Sequence, residues 1–444
     1  MDKNKRHLRI AIFHFGFFYS GGGEKLVLEE IKGLRKLGHD VTCFAPYIDR
    51  ERCFPGVSEM VEIQTLLPPP PKFLPYRHAI SVLLCCLLVP FMALRFRKFD
   101  VFFGANQPAP WITFVLGKIL KKPYVIYLAQ PFRLLHPRRI DLENGLRIND
   151  GDQHLVRILT KIGRPIINLA DSISVKKADA ILTNGSYVRR WIEGIYNCKS
   201  IECPAGCYPL PKEDLKFGNR YKGDVIVNGV VIHKPYVLLT NRHAPQKRFG
   251  YAIWAMKSIF KKMPSVSLVI TGQETEYTDQ LRYLVDGLDL SGIVHFVGLV
   301  SELELSRLYQ EAAVYVYPSP EEDFGMGIIE AMAAGTPVVA WNNRGPTVTV
   351  RDGVTGFLVE TYDTEAFAEK LLRLVSCPQI AEHMGRAGHR RARQHFTYER
   401  HVELLEQALR AAVGSEEPKP VLDSTIIANN LVQAEADEKV VRVE

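Results

Sequence analysis

The chain has 444 residues, 47% of them hydrophobic and 24% charged, which at roughly 100–200 residues per domain suggests two or three packed domains and excludes a disordered or fibrous protein. Fifty-six Lys and Arg against 49 Asp and Glu leave a net charge of +7. That excess is milder than the basic stripe of a dedicated nucleic-acid binder, and it is compatible with a phosphate-bearing ligand or an anionic membrane.

Residues 1–19 outline a signal peptide, with Lys3, Lys5, Arg6 and Arg9 around an apolar run. The run is short, contains His14 and passes into Ser20-Gly21-Gly22-Gly23-Glu24 instead of a small-residue cleavage site, so a buried first strand over 9–15 is expected. Leu26, Val27, Glu30, Ile31 and Leu34 recur at helical spacing across 24–37, and Gly38-His39 ends that pattern. Strands are expected over 40–45, 100–104, 124–128 and 180–183, with a helix over 187–196. Residues 79–94 form a charge-free run interrupted by Pro90, short of the ~20 residues a spanning helix needs. It reads either as a helix buried in the first domain or as one resting on a membrane face, flanked by Lys72, Arg77, His78, Arg95, Arg97 and Lys98.

The segment 204–234, rich in Pro, Gly and charge, is the expected domain boundary. Strand and helix then alternate again, with strands expected over 236–240, 266–271, 294–297, 314–317 and 337–340. This divides the chain into 1–207, a linker 208–234, and 235–396, with a helix 397–412 and an acidic tail over 414–444 expected to be disordered. The halves share no visible sequence repeat. The eight cysteines (Cys43, Cys53, Cys85, Cys86, Cys198, Cys203, Cys207 and Cys377) contain no Cys-x-x-Cys pair and read as free thiols of a reducing, cytoplasmic compartment.

The most informative segment is Glu321-Glu322-Asp323-Phe324-Gly325-Met326-Gly327, between an apolar strand and a helix that continues to Gly335-Thr336-Pro337. A loop there sits at the carboxyl ends of parallel strands, where open α/β sheets bind ligands. Gly325 and Gly327 admit close backbone approach, and the first amides of a helix starting near Met326 suit an anion or a sugar hydroxyl. Glu322 and Glu330 stand two helical turns apart, able to meet different parts of an elongated ligand. After the strand at 236–240, Arg242 offers a guanidinium fork and Lys247 a mobile ammonium, a fitting pair for a diphosphate. Gly21-Gly22-Gly23-Glu24 leaves room for a ligand but is no dinucleotide fingerprint, since Gly-x-Gly-x-x-Gly is absent.

These motifs resemble those of the retaining glycosyltransferases of family 4: two glutamates separated by seven residues in a Phe-Gly context, an Arg and Lys five apart, and a Gly-Gly-x-Glu loop after the first strand. The match is specific over 236–393 and looser over 9–207. The resemblance implies an α/β GT-B fold, two Rossmann-like domains with the active site in the interdomain cleft, and a helix after Phe396-Thr397-Tyr398 that returns to the first domain. It implies that Glu322 and the amides of Phe324, Gly325, Met326 and Gly327 hold the donor sugar, that Glu330 binds the ribose, that Arg242 and Lys247 hold the diphosphate, and that Gly22 and Gly23 face it across the cleft. Thr271-Gly272-Gln273 and His295-Phe296-Val297-Gly298 echo the same family, placing Gly272 and Val297 at the nucleotide. Many relatives carry a His where this chain has Gln130, which hydrogen-bonds but does not titrate; His136 nearby reads as a surface residue. Asp150-Gly151-Asp152 mimics a metal motif, but no metal or cofactor is expected, the nucleotide-sugar being a substrate.

The acceptor implied is lipid-linked or an oligosaccharide. The run after residue 124 resembles mannosyltransferases of lipid-linked glycan assembly, which favours GDP-mannose over a UDP-sugar. An epimerase and a non-catalytic nucleotide-sugar-binding protein are the alternatives. Residues 1–224 hold 34 Lys and Arg against 21 Asp and Glu, and 225–444 hold 22 against 28. The basic excess therefore lies in the acceptor half, which favours contact with an anionic membrane at its cytoplasmic face over contact with nucleic acid.

Overall fold

The computed structural model describes residues 6–18, 21–50, 53, 61–74, 77–143 and 154–414. Asp150-Gly151-Asp152 and the acidic tail beyond Gly414 lie outside the described residues.

The N-terminal half is built on β1 (Arg9–His14), β2 (Asp40–Ala45), β3 (Ile63–Thr65), β4 (Val101–Ala105), β5 (Tyr124–Leu128), β6 (Ala180–Thr183) and β7 (Ile201–Glu202), paired in parallel in the order 3-2-1-4-5-6-7. β4 and β5 are buried at every residue, because helices cover both faces of the sheet. On one face α1 (Gly22–Lys36) contributes Leu26, Val27, Ile31 and Leu34. On the other lie α2 (Arg77–Leu88), continued as a 3₁₀ helix over Val89–Phe96, then α3 (Ala109–Leu120) and, beyond the short α4 (Arg139–Glu143), α5 (His154–Lys176) and α6 (Gly185–Tyr196).

The C-terminal half repeats the plan. After the hairpin β8 (Asp224–Val227) and β9 (Val230–His233), strands β10 (Tyr236–Thr240), β11 (Ser267–Thr271), β12 (Val294–Gly298), β13 (Val314–Tyr317), β14 (Val338–Trp341) and β15 (Gly356–Val359) form a parallel sheet in the order 12-11-10-13-14-15. Counting its own strands, each sheet contains the doubly wound order 3-2-1-4-5-6, with β7 added at the edge of the first. Both halves are thus Rossmann-like without sharing sequence. The helices are α7 (Gly250–Phe260), α8 (Glu276–Gly287), α9 (Glu302–Glu311), α10 (Met326–Ala333), α11 (Pro346–Thr349), α12 (Thr364–Ser376), α13 (Pro378–His395) and α14 (Tyr398–Ala412).

α14 packs against the N-terminal half. Its His401 Nε2 lies 3.0 Å from Glu30 Oε1, with both side chains fully buried, and Glu406 Oε1 lies 3.0 Å from His39 Nε2. Arg410 donates to the Arg6 carbonyl at 2.9 Å.

One expectation is refined. The stretch 208–234, read as a linker, is structured: Tyr208 donates to Glu29 of the N-terminal half, and the residues from Leu210 onward pack onto the C-terminal half. Asn228-Gly229, with φ of 47° and 78°, makes the tight turn of the β8–β9 hairpin. The hairpin buries Val225, Val227 and Ile232, and Arg220, 1% exposed, donates to the carbonyls of Gln310, Ala334 and Gly335. The charge and glycines that suggested a linker serve a turn and a buried guanidinium. Of the two readings of the run 79–94, the structure matches a partly exposed helix: Ser81, Cys85, Val89 and Ala93 are buried, while Leu83, Leu84, Leu87 and Leu88 are exposed. Edges β3 and β7 escape prediction because two or three residues carry no periodicity.

Candidate active site

In the C-terminal sheet the strand order reverses between β10 and β13, and the loops leaving their carboxyl ends meet there. β10 delivers Arg242, half-buried, and Lys247 on a 3₁₀ turn over Pro245–Lys247. β13 delivers the loop from Pro318 to Gly325, and α10 begins at Met326. Lys247 Nζ donates to Glu322 Oε2 at 2.8 Å, and Tyr317 Oη donates to the same oxygen at 2.6 Å. Burial by itself would raise the Glu322 pKa; the Lys247 ammonium, these hydrogen bonds and the Arg138 guanidinium outweigh it and hold the value at about 2. Glu322 is therefore a fixed carboxylate.

Gly325, at φ 89°, turns the chain into α10, whose N-terminus has no side-chain cap. A Cβ on Gly327 would lie 2.2 Å from Tyr315 Oη, so this turn closes only around glycine. The Ile328 amide donates to the Gly325 carbonyl at 3.0 Å, and the Met326 and Gly327 amides before it stand at the open end of the helix, where an anion is favoured. Phe324 is buried, edge-on to Phe396. One face of α10 carries Glu330, which receives Tyr309 Oη at 3.0 Å; Tyr309 also shares a 2.8 Å hydrogen bond with Thr240 Oγ1.

The N-terminal half closes over this site. A Cβ on Gly22, at the start of α1, would lie 3.3 Å from Met326 Cγ, and Gly23 faces Asn106. Lys25 Nζ lies 3.1 Å from Glu302 and 4.0 Å from Glu330. From the segment after β5, Arg138 donates to the Glu321 carbonyl at 2.8 Å, and Arg133, 8% exposed, pairs with Asp323. Arg133 Nε also donates to the exposed Gln130 at 3.0 Å. Burial and the neighbouring Arg138 hold the Arg133 guanidinium down to about 9.

Glu322, Lys247, Phe324–Gly327 and Glu330 thus share one end of the C-terminal sheet, and Gly22, Gly23 and the Gln130 segment approach from the opposite domain. Gly272 follows β11, its amide on the Gly298 carbonyl at 3.0 Å. Val297, near the end of β12, buries its side chain in the core, and its carbonyl accepts from Asn228 at 2.8 Å, where the β8–β9 hairpin covers that strand end. His136 is half-buried rather than a surface residue, edge-on to Tyr196, and burial lowers its pKa. Sequence reading missed Arg133, Arg138, Asp323 and Tyr317. The three-residue spacing of Gln130 and Arg133 was the available signal, but a partner in the other domain has none. Among the described residues no cluster of three His, Cys, Asp or Glu is arranged to hold a metal ion.

Two family models match the chain, Glycosyltransferase Family 4 over residues 20–203 and Glycosyl transferases group 1 over 227–391. The chain is 25% identical over 408 residues to the alpha-1,3/1,6-mannosyltransferase ALG2 of Mus musculus, covering 87% of this chain and 92% of that protein. It is 32% identical over 191 residues to a D-inositol 3-phosphate glycosyltransferase of Streptomyces griseus, 40% of each chain. Its fold is similar to that of the sucrose-phosphate synthase of Thermosynechococcus elongatus (TM-score 0.69, 21% identity, 93% of this chain and 100% of that one). A similar match is HepE of Anabaena in complex with UDP and glucose (TM-score 0.66, 17% identity, 91% and 100%).

Proposed function

We propose that this chain, which belongs to the GT4-type glycosyltransferases of the GT-B fold, moves a hexose from a nucleotide-sugar to a lipid-linked or oligosaccharide acceptor with retention of anomeric configuration. The observation that carries the reading is the Lys247–Glu322 pair beside the uncapped start of α10, at the strand-order switch of the sheet. Arg242, Lys247 and the α10 amides hold the diphosphate and stabilise the charge it gains as the anomeric C–O bond breaks. Glu322 orients the sugar, Glu330 the ribose, and Gln130 reaches the donor from the acceptor domain. The acceptor hydroxyl bonds to the anomeric carbon on the face the diphosphate leaves, and its proton passes to that diphosphate. No metal enters this scheme.

GDP-mannose is favoured as donor, because relatives matched along most of the chain are named mannosyltransferases. The basic N-terminal half and the exposed 79–94 helix support a peripheral position on a cytoplasmic membrane face. The test is a screen of GDP-mannose, UDP-glucose, UDP-galactose and UDP-N-acetylglucosamine, reading nucleoside diphosphate release and sugar incorporated into a lipid-linked oligosaccharide. GDP release with mannose incorporation is expected. Donor binding without turnover across acceptors would instead make it a non-catalytic nucleotide-sugar-binding protein, and acceptor-free conversion of the donor an epimerase.

A further inference from the structure

Among its described side chains, α5 carries a stripe of large apolar residues on the side away from the protein. At about 100° per residue, Ile158, Ile162, Ile166, Leu169 and Ile173 fall in one stripe, and they are 37–76% exposed. Asp171, Ser174 and Val175 occupy the opposite side and are buried, with the Asp171 carboxylate taken by Tyr196 Oη at 2.6 Å. α2 is inverted in the same way. Ser81 and Cys85 point inward, whereas Leu83, Leu84, Leu87 and Leu88 point outward, and Phe91 and Leu94 follow at 88% and 80% exposed. α3 packs against both the Val89–Phe96 turn and α5, so the three helices form one layer with its apolar side outward. An exposed apolar surface of this extent on a folded domain marks an interaction site.

Charge selects the occupant. Residues 63–99, 101–140 and 153–170 contain no Asp or Glu, and Arg95, Arg97, Lys98, Lys118, Lys121 and Lys161 are exposed around the apolar residues. Two copies of so basic a face would repel one another, whereas an anionic bilayer matches both the cations and the leucines. A transbilayer path is excluded by packing: Cys85, Val89, Ala93 and Phe96 belong to the domain core with Phe44 and Phe102. We propose that α2 and α5 together form a single docking face that lies in the headgroup region of an anionic membrane. This deepens, and rests on, the membrane-peripheral reading above. Arg164 ties α5 to the Leu135 carbonyl at 3.0 Å, so the docking face and the segment bordering the cleft belong to one unit.

The test is flotation with vesicles of phosphatidylcholine containing phosphatidylserine, against phosphatidylcholine alone. Wild type binds the anionic vesicles, at least tenfold more weakly when phosphatidylserine is omitted or salt is high. The α5 variant Ile162→Ser/Ile166→Ser/Leu169→Ser and the α2 variant Leu83→Ser/Leu87→Ser/Phe91→Ser each lose at least tenfold in binding, as does Lys118→Glu/Lys121→Glu, with unchanged thermal melting. Wild-type-like binding by the α5 variant, no binding by wild type, or a wild-type dimer that the α5 variant dissociates would overturn the proposal. Diphosphate release from the donor without vesicles, measured on the same preparations, reads the glycosyltransferase assignment separately.

Discussion

Arg133 donates through Nε to the side-chain oxygen of Gln130 at 3.0 Å. Because a guanidinium can only donate, the Gln130 oxygen is committed to Arg133, and its amide NH₂ is the end that can serve a ligand. Arg133 meanwhile pairs with Asp323, in the loop that carries Glu322. One buried cation therefore orients a side chain of the N-terminal half and grips the Glu322 loop of the other half.

Replacing Arg133 with Ala leaves the buried Asp323 with Arg138, 3.8 Å away, in place of its hydrogen-bonded partner, a loss of about 3 kcal/mol of stability. Arg133→Lys keeps the charge and is expected to retain most of that stability while releasing Gln130. Steady-state kinetics should then show a lower kcat with the larger change in donor KM. Unchanged KM and kcat in Arg133→Lys would remove Arg133 from the positioning of Gln130.

Glu322 has a depressed folded-state pKa of about 2, so its stabilisation is present above its ordinary pKa and is lost as pH falls toward that folded value. At ~1.4 kcal/mol per pKa unit the difference amounts to about 3 kcal/mol. Urea unfolding should show wild type more stable than Glu322→Gln near neutral pH, with the gap closing between about pH 4.5 and pH 2.

His401 behaves in the opposite sense. Burial opposes its protonation, but Cys203 and Glu30 outweigh it and raise its pKa well above the ordinary value. The stabilisation from this charge is complete below about pH 6.5 and is lost as pH rises through the raised folded value. Melting temperature followed from neutral to alkaline pH should fall more steeply for wild type than for Glu30→Gln, which starts lower because a buried partner is gone.

Arg220 offers a structural control. Arg220→Ala leaves the carbonyls of Gln310, Ala334 and Gly335 without their donor, costing about 3 kcal/mol or more. Calorimetry should register that loss while donor KM stays at the wild-type value, since Arg220 lies away from Lys247 and Glu322.

Local signals carried much of this structure. The buried strands announced themselves as apolar runs, and the glycines beside Glu322 marked the helix start that the site requires. What escaped was non-local. Arg133 gains its meaning from Asp323 in the other domain, and Arg220 from carbonyls on elements near 310 and 335. The Asn228-Gly229 turn was readable from the dipeptide but was masked by the surrounding Pro and charge. α2 left two readings open for a different reason: its composition suits both a core helix and a surface one, and only packing reveals that its leucines face outward. The contact of Asn228 with the Val297 carbonyl was equally hidden, because it depends on the unforeseen hairpin.

The central claim is that Lys247 and Glu322 form the donor-binding heart of a glycosyltransferase. The most direct measurement is sugar transfer from the preferred nucleotide-sugar by wild type, Lys247→Ala and Glu322→Ala, with circular dichroism confirming that each is folded. Both variants should lose at least ~10²-fold in kcat/KM, the scale on which removing one preorganised electrostatic group acts. Folded variants that transfer sugar at the wild-type rate would contradict the claim.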